Sequence, residues 1–161
     1  MICPVPLEQR PLHEYLSLRN SCFFCWATQD AKRYVSYLLV IWCIGWILTV
    51  CIYSTTFLFF ENPLNLFLRG CIGATLLVSL NIIRLYLGWS YVGQRLLSAT
   101  VRYEESGWYD GQIWIKSPEV LIQDRLIGMY QVKPLLNRLR RSLGQSLGFL
   151  TLSILFTFVT L

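Results

Sequence analysis

Any chemistry in this chain has to be built from one histidine, six cysteines and nine carboxylates. Cys3, His13, Cys22 and Cys25 fall within 23 residues of one another, and three thiolates with an imidazole are a donor set that tetrahedral zinc accepts. The pair Cys22-x-x-Cys25 could instead be redox-active. The spacers between these residues match no zinc-knuckle pattern, so we read them as reduced thiols and keep the four-residue metal set as the weaker alternative. Cys43, Cys51 and Cys71 lie in apolar runs, where cysteine acts as a small hydrophobe. A lone imidazole excludes zinc-protease H-E-x-x-H motifs, di-iron sites with two Glu-x-x-His units, and bis-His haem. A Ser-His-Asp triad has no Gly-x-Ser-x-Gly elbow to carry its nucleophile.

The carboxylates form no acid and base pair either. Glu104 and Glu105 are neighbours in an expected strand, so they point to opposite faces. Asp110 belongs to a turn, and Asp124 beside Arg125 reads as a surface charge pair. Gly88 and Gly93 lack the strand-turn-helix context of a dinucleotide site. We therefore find no catalytic constellation and predict no cofactor. Trp89, Tyr91, Trp108, Tyr109 and Trp114 form an aromatic cluster that could stack on a pigment, a lipid or a partner, with interfacial anchoring as the simpler role.

What must position these residues is a membrane. Of 161 residues 55% are hydrophobic and 14% charged, an excess of apolar character over soluble domains. Tyr37 to Phe60 is a charge-free run of 24 residues, roughly 36 Å as a helix and enough for a hydrocarbon core of about 30 Å. A second span covers residues 64–89; its central run from Gly70 to Ile83 is bracketed by Arg69 and Arg84, which can snorkel outward. Gly70, Gly73 and Ala74 supply small residues for close helix packing. The third span, Ser142 to Leu161, follows Arg138, Arg140 and Arg141.

Thirteen of the 14 Lys and Arg precede the first span or lie from Arg84 to Arg141; Arg69 is the exception. The positive-inside rule then places residues 1–36 and 90–141 on the stromal or cytoplasmic side. In an apolar chain this surplus sets orientation rather than binding nucleic acid. The N-terminal segment, with three prolines and seven charges, resembles neither a secretory signal nor a transit peptide, and the chain reads as complete and unprocessed.

The expected fold is a mainly α membrane protein with segments 1–36, 37–60, 64–89, 90–141 and 142–161. Its third and fifth segments are spans, as is the second, while the fourth carries a small β-hairpin and an amphipathic helix. Thr100 to Glu105 and Gln112 to Lys116 are the strands, joined through Ser106-Gly107 and Asp110-Gly111 turn dipeptides. Ser117-Pro118-Glu119 starts a helix with an N-cap hydroxyl, a proline at the first position and an acid at the positive dipole end. Ile122, Leu126, Met129 and Tyr130 form an apolar stripe opposite Asp124, Gly128 and Gln131, expected to pack on the hairpin or lie at the bilayer surface. Pro134 should break or kink this helix. Glu104, Glu105, Trp108, Tyr109, Asp110 and Trp114 are the expected partner-binding set, because aromatic anchors ringed by polar groups are what interface hot spots use.

Several blocks resemble a known family. Cys3-Pro4-Val5-Pro6 with Glu8, Gln9, Arg10 and Pro11, then Arg84-Leu85-Tyr86-Leu87-Gly88-Trp89, Tyr103-Glu104-Glu105 and Gly107 to Gln112, are similar to a group of cyanobacterial and plastid membrane proteins. These are hypothetical chloroplast reading frames with relatives conserved in the green lineage and diatoms. Asp124-Arg125-Leu126 and Val132-Lys133-Pro134 continue the likeness. The resemblance implies a thylakoid or other membrane of a plastid or cyanobacterium, and a role in assembly, maintenance or acclimation of a photosynthetic complex, iron limitation included. It implies the bilayer and such a complex as partners. The family's motif at Phe23 to Trp26 does not require Cys22 or Cys25, which weakens the metal reading. The alternative is a membrane enzyme or a protein handling a pigment or metal.

Overall fold

The computed structural model describes residues 5–56, 63–104 and 111–160. A 3-10 turn at Leu7–Gln9 leads into helix α1, Pro11–Asn20, and a second 3-10 turn at Cys25–Thr28 precedes α2, Ala31–Thr56. Helix α3 is Pro63–Leu97, the strands are β1, Thr100–Glu104, and β2, Gly111–Ile115, and α4 is Pro118–Ile127. A π-helical turn, Gly128–Val132, joins α4 to α5, Lys133–Thr160. The chain divides into two compact units, one made of residues through Thr28 with Tyr86–Arg138, the other of Gln29–Leu85 with the residues from Leu139.

The second unit is apolar. Three helices of the chain are long and apolar enough to cross a membrane: Ala31–Thr55, Pro63–Leu97 and the continuous run Pro118–Val159. Within this unit α2 and α3 approach through small residues. A Cβ built on Gly70 would come within 2.7 Å of Trp46 Nε1, and one on Gly73 would run into the Thr49 side chain. Gly45 faces Ala74 from the other helix, where a Cβ would stand 3.2 Å from the Ala74 Cα. Ala74, Ile82 and Leu85 are fully buried, whereas Leu39, Ile47, Ile52, Leu80, Leu155 and Phe158 lie exposed. The buried hydroxyls close on backbone or on each other. Ser79 donates to Thr75 O at 2.8 Å and to Ser146 Oγ at 3.2 Å, and the Tyr34 and Ser142 hydroxyls meet at 2.7 Å. Such pairs satisfy polar groups that an apolar surround would otherwise strand.

In the first unit the strands pair antiparallel with Val101 opposite Trp114 and Tyr103 opposite Gln112. Side-chain alternation puts Val101 and Tyr103 inward with Val5, and Trp114 packs against this cluster. Ile113 and Ile115 fall on the opposite, exposed face.

Three expectations are corrected here. The stripe of Ile122, Leu126, Met129 and Tyr130 is exposed, and the helix packs through the face that carries Asp124, Gly128 and Val132. Gly128 permits this, since a Cβ there would stand 3.1 Å from Leu97 Cδ2; Gly93 likewise faces Val132 at 3.0 Å. Asp124 is accordingly no surface partner of Arg125 but is 2% exposed. Finally, Pro134 does not end the helix. A proline lacks the N–H and crowds the carbonyl four residues back, and the preceding π turn, closed by Lys133 N–H to Gly128 O, is a widened turn beside it. Ser117 holds the N-cap position of α4 and Pro118 the first helical position, but the Ser117 hydroxyl makes no capping bond.

Candidate functional site

Two charged groups organise the polar unit. Lys116 directly follows β2, one residue past Ile115, and the alternation that turns Trp114 inward turns Lys116 inward too. Its Nζ lies 2.6 Å from Asp124 Oδ2, and both side chains are almost wholly buried. The same ammonium donates to Arg95 O at 2.9 Å and Leu96 O at 3.2 Å, the last carbonyls of α3. A cation at a helix C-terminus meets both the negative dipole end and acceptors that have no helical partner. One lysine therefore ties the hairpin, the end of α3 and α4 together.

Arg95 ties in the N-terminal segment. Its Nη1 donates to Glu14 on α1, and its Nη2 to Gln9 O at 3.1 Å and Arg102 O at 3.4 Å, while the guanidinium stacks 5.7 Å over the Tyr91 ring. Burial pushes the Glu14 carboxyl above the usual carboxylate range, and the charge and hydrogen bond of Arg95 oppose that shift. Below these pairs Tyr15 meets Trp89 edge-on, with ring centroids 5.9 Å apart. Gly88 lies under the Phe24 ring, where a Cβ would be 2.6 Å from Cε1.

The outward surface of this unit is apolar over two elements. Ile115 is 73% exposed and Tyr130 76%, with Ile113, Ile122, Leu126 and Met129 all more than half uncovered. Of the residues expected to bind a partner, Trp114 is half-buried against the Val5, Val101 and Tyr103 cluster. Glu104 ends β1, and Glu105, Trp108, Tyr109 and Asp110 lie outside the described residues. Gly70, Gly73 and Ala74 sit in the close approach of α2 and α3. For the metal alternative, His13 and Cys22 are exposed and Cys25 is half-buried; Cys3 lies outside the described residues. Among the described residues no three His, Cys, Asp or Glu side chains gather. Sequence reasoning missed Lys116 and Arg95. The signal for Lys116 was its strand parity with Trp114; Arg95 carried none beyond its place at the end of a long helix.

The fold and site define a class: a chain with three helices long and apolar enough to cross a membrane, joined to a small charge-locked polar unit that presents an apolar face and no catalytic cluster among the described residues. Residues 3–145 match the family model described as CGLD27-like, conserved in the green lineage and diatoms 27, and the chain belongs to that family. It is 59% identical over 142 residues to the ycf36 protein of Cyanophora paradoxa, covering 88% of this chain and 89% of that one. The ycf36 protein of Pyropia yezoensis is 49% identical over 152 residues, covering 94% and 90%. The chloroplastic Arabidopsis thaliana protein named conserved in the green lineage and diatoms 27 is 43% identical over 158 residues, 97% of this chain but 48% of the relative. No solved structure matches.

Proposed function

We propose that this protein is an integral protein of a plastid membrane that supports assembly, maintenance or acclimation of a photosynthetic complex, docking on it through the apolar face of its polar unit. The observation that carries the reading is the inverted α4 stripe. The continuous helix Pro118–Val159 has 42 residues, about 63 Å of rise, twice the roughly 30 Å that a hydrocarbon core needs. Its charge-free part begins at Ser142, and Ile122 precedes that by 20 residues, about 30 Å of helix. The stripe thus belongs to a stretch outside the hydrocarbon, where a contiguous apolar face needs a protein to cover it. The Trp108 and Tyr109 tip, with Glu104, Glu105 and Asp110, would extend that face. The 13 to 1 division of Lys and Arg supports placing the polar unit and N-terminus on the stromal side of a thylakoid or envelope membrane.

Affinity purification from solubilised photosynthetic membranes tests both parts. Subunits of one photosynthetic complex should co-purify with the wild type and be lost with Ile122→Glu plus Tyr130→Glu, or with Trp108→Ala plus Tyr109→Ala, at unchanged abundance and membrane insertion. Undiminished co-purification with both variants refutes docking. Protease protection of tags in vesicles of known sidedness tests orientation separately, and a tag at Asp110 on the translocated side overturns it.

A further inference from the structure

A second feature of the polar unit is unused by the docking face. Tyr15, Arg19, Thr28, Trp89, Gln131 and Arg138 supply the polar wall of an open cleft of about 250 Å³, and the rest of the wall is apolar. Two guanidiniums line it and no carboxylate does. Arg19 has no ion pair among the described residues. The Tyr15 hydroxyl donates to Gln131 Oε1, which leaves the Gln131 amide N–H groups as that side chain's remaining polar capacity. Thr28 Oγ1 donates to Cys25 O at 2.6 Å. Trp89 is fully buried, and its Nε1, a group that can only donate, has no hydrogen-bond partner among the described residues. An unpaired buried N–H in a native structure costs about 1 to 3 kcal/mol and asks for an acceptor.

The wall is therefore rich in donors, doubly cationic and short of acceptors. Its ligand is an oxyanion. Arginine forks match phosphate oxygens two at a time, and an indole N–H adds a neutral donor. The level of the cleft along the helices indicates which oxyanion meets it. Trp89 follows Arg84, where the charge-free run of α3 ends, and Arg138 precedes Arg140, Arg141 and Ser142, where the charge-free run of α5 begins. If those runs cross the bilayer, as proposed above, the cleft lies at the height of the headgroups. We propose that it binds one phosphate oxyanion, presented by the headgroup of an anionic phospholipid.

The experiment uses the full-length protein reconstituted in phosphatidylcholine nanodiscs with and without phosphatidylglycerol, released and weighed by native mass spectrometry. One phosphatidylglycerol should stay with each wild-type chain. Arg19→Gln with Arg138→Gln should weaken retention roughly tenfold per arginine, about 1.4 kcal/mol each. Trp89→Phe, which keeps a ring but removes the N–H, should weaken it by a smaller factor. Arg19→Lys with Arg138→Lys keeps the charge and should retain lipid better than the Gln pair, which separates a binding loss from misfolding. Equal retention of phosphatidylcholine, or undiminished phosphatidylglycerol in the double Gln variant, overturns the site. A rise in the wild-type unfolding midpoint with inorganic phosphate, absent in the double Gln variant and with no lipid retained, keeps the oxyanion site and overturns the lipid source. Failure of the protein to sediment with membranes refutes the membrane reading by itself, whatever phosphate does.

Discussion

Replacing Lys116 by methionine should be the most damaging single change in the polar unit. The ammonium sits 2.6 Å from the Asp124 carboxylate, with side chains 0% and 3% exposed, so neither charge can turn to water. Breaking a buried pair by removing one member costs about 3 to 5 kcal/mol, because the other charge is left desolvated. Lys116→Met also strips the donor from Arg95 O and Leu96 O, adding on the order of 1 kcal/mol for each carbonyl. Against a typical total of about 5 to 15 kcal/mol this is enough to melt the unit under mild conditions. Lys116→Met with Asp124→Leu removes both charges, so its cost should fall below that of the single change, leaving mainly the two carbonyls unpaired. Urea unfolding of the purified protein, followed by tryptophan emission, gives the energies. Hydrogen exchange at residues 99–116 and 118–132 localises the loss. A Lys116→Met penalty under about 0.5 kcal/mol, or a double variant as unstable as the sum of the singles, would refute the argument that this pair holds the unit together.

Two other perturbations test the packing and the titration. Gly73→Val places methyls against the Thr49 side chain and should cost about 1 to 3 kcal/mol, whereas Gly148→Val, with nothing within 4 Å of its would-be Cβ, should be tolerated; equal midpoints for the two would disprove the close approach of α2 and α3. Burial raises the folded Glu14 carboxyl, so its contribution to stability is present below its unfolded value and is lost as pH rises through the folded value; Glu14→Gln should flatten that decline, and an unchanged slope across the weakly acidic range would count against it.

Those parts of the fold that depend on local composition were legible in the sequence. A charge-free run of 24 residues leaves no face for water, which is why α2 could be placed without a partner. The strands followed from alternation and turn dipeptides, and the start of α4 from Ser117-Pro118-Glu119, although the Ser117 hydroxyl makes no cap. The facing of α4 was not legible. Periodicity reports that Ile122, Leu126, Met129 and Tyr130 share a side, but it does not report whether that side meets the chain's own core. Here the inner surface had already been taken by α3, which offers Leu96, Leu97 and two helix-terminal carbonyls, and these accept Gly128, Val132 and an ion pair better than four large side chains. Pro134 was misread for a related reason: its penalty is local, and the π turn before it accommodates the chain without ending the helix.

The buried charges and the exposed hydrophobes have a common origin. The polar unit has too few residues to bury an extensive core, and a small domain that cannot rely on area depends on directional contacts for a single arrangement. Lys116 with Asp124, and Arg95 with Glu14 and Gln9, provide those contacts among the N-terminal segment, α3, the hairpin and α4. Each pair draws a polar side chain inward at a position where a soluble domain would place an aliphatic one. The aliphatic residues of α4 and β2 are thereby turned outward, held at fixed positions on a framework that charge pairing keeps rigid. A face of Ile113, Ile115, Ile122 and Tyr130 that served only to fill the interior would be buried. Held outward on a locked scaffold, it has the preorganisation that lets an interface form without the cost of ordering its own side.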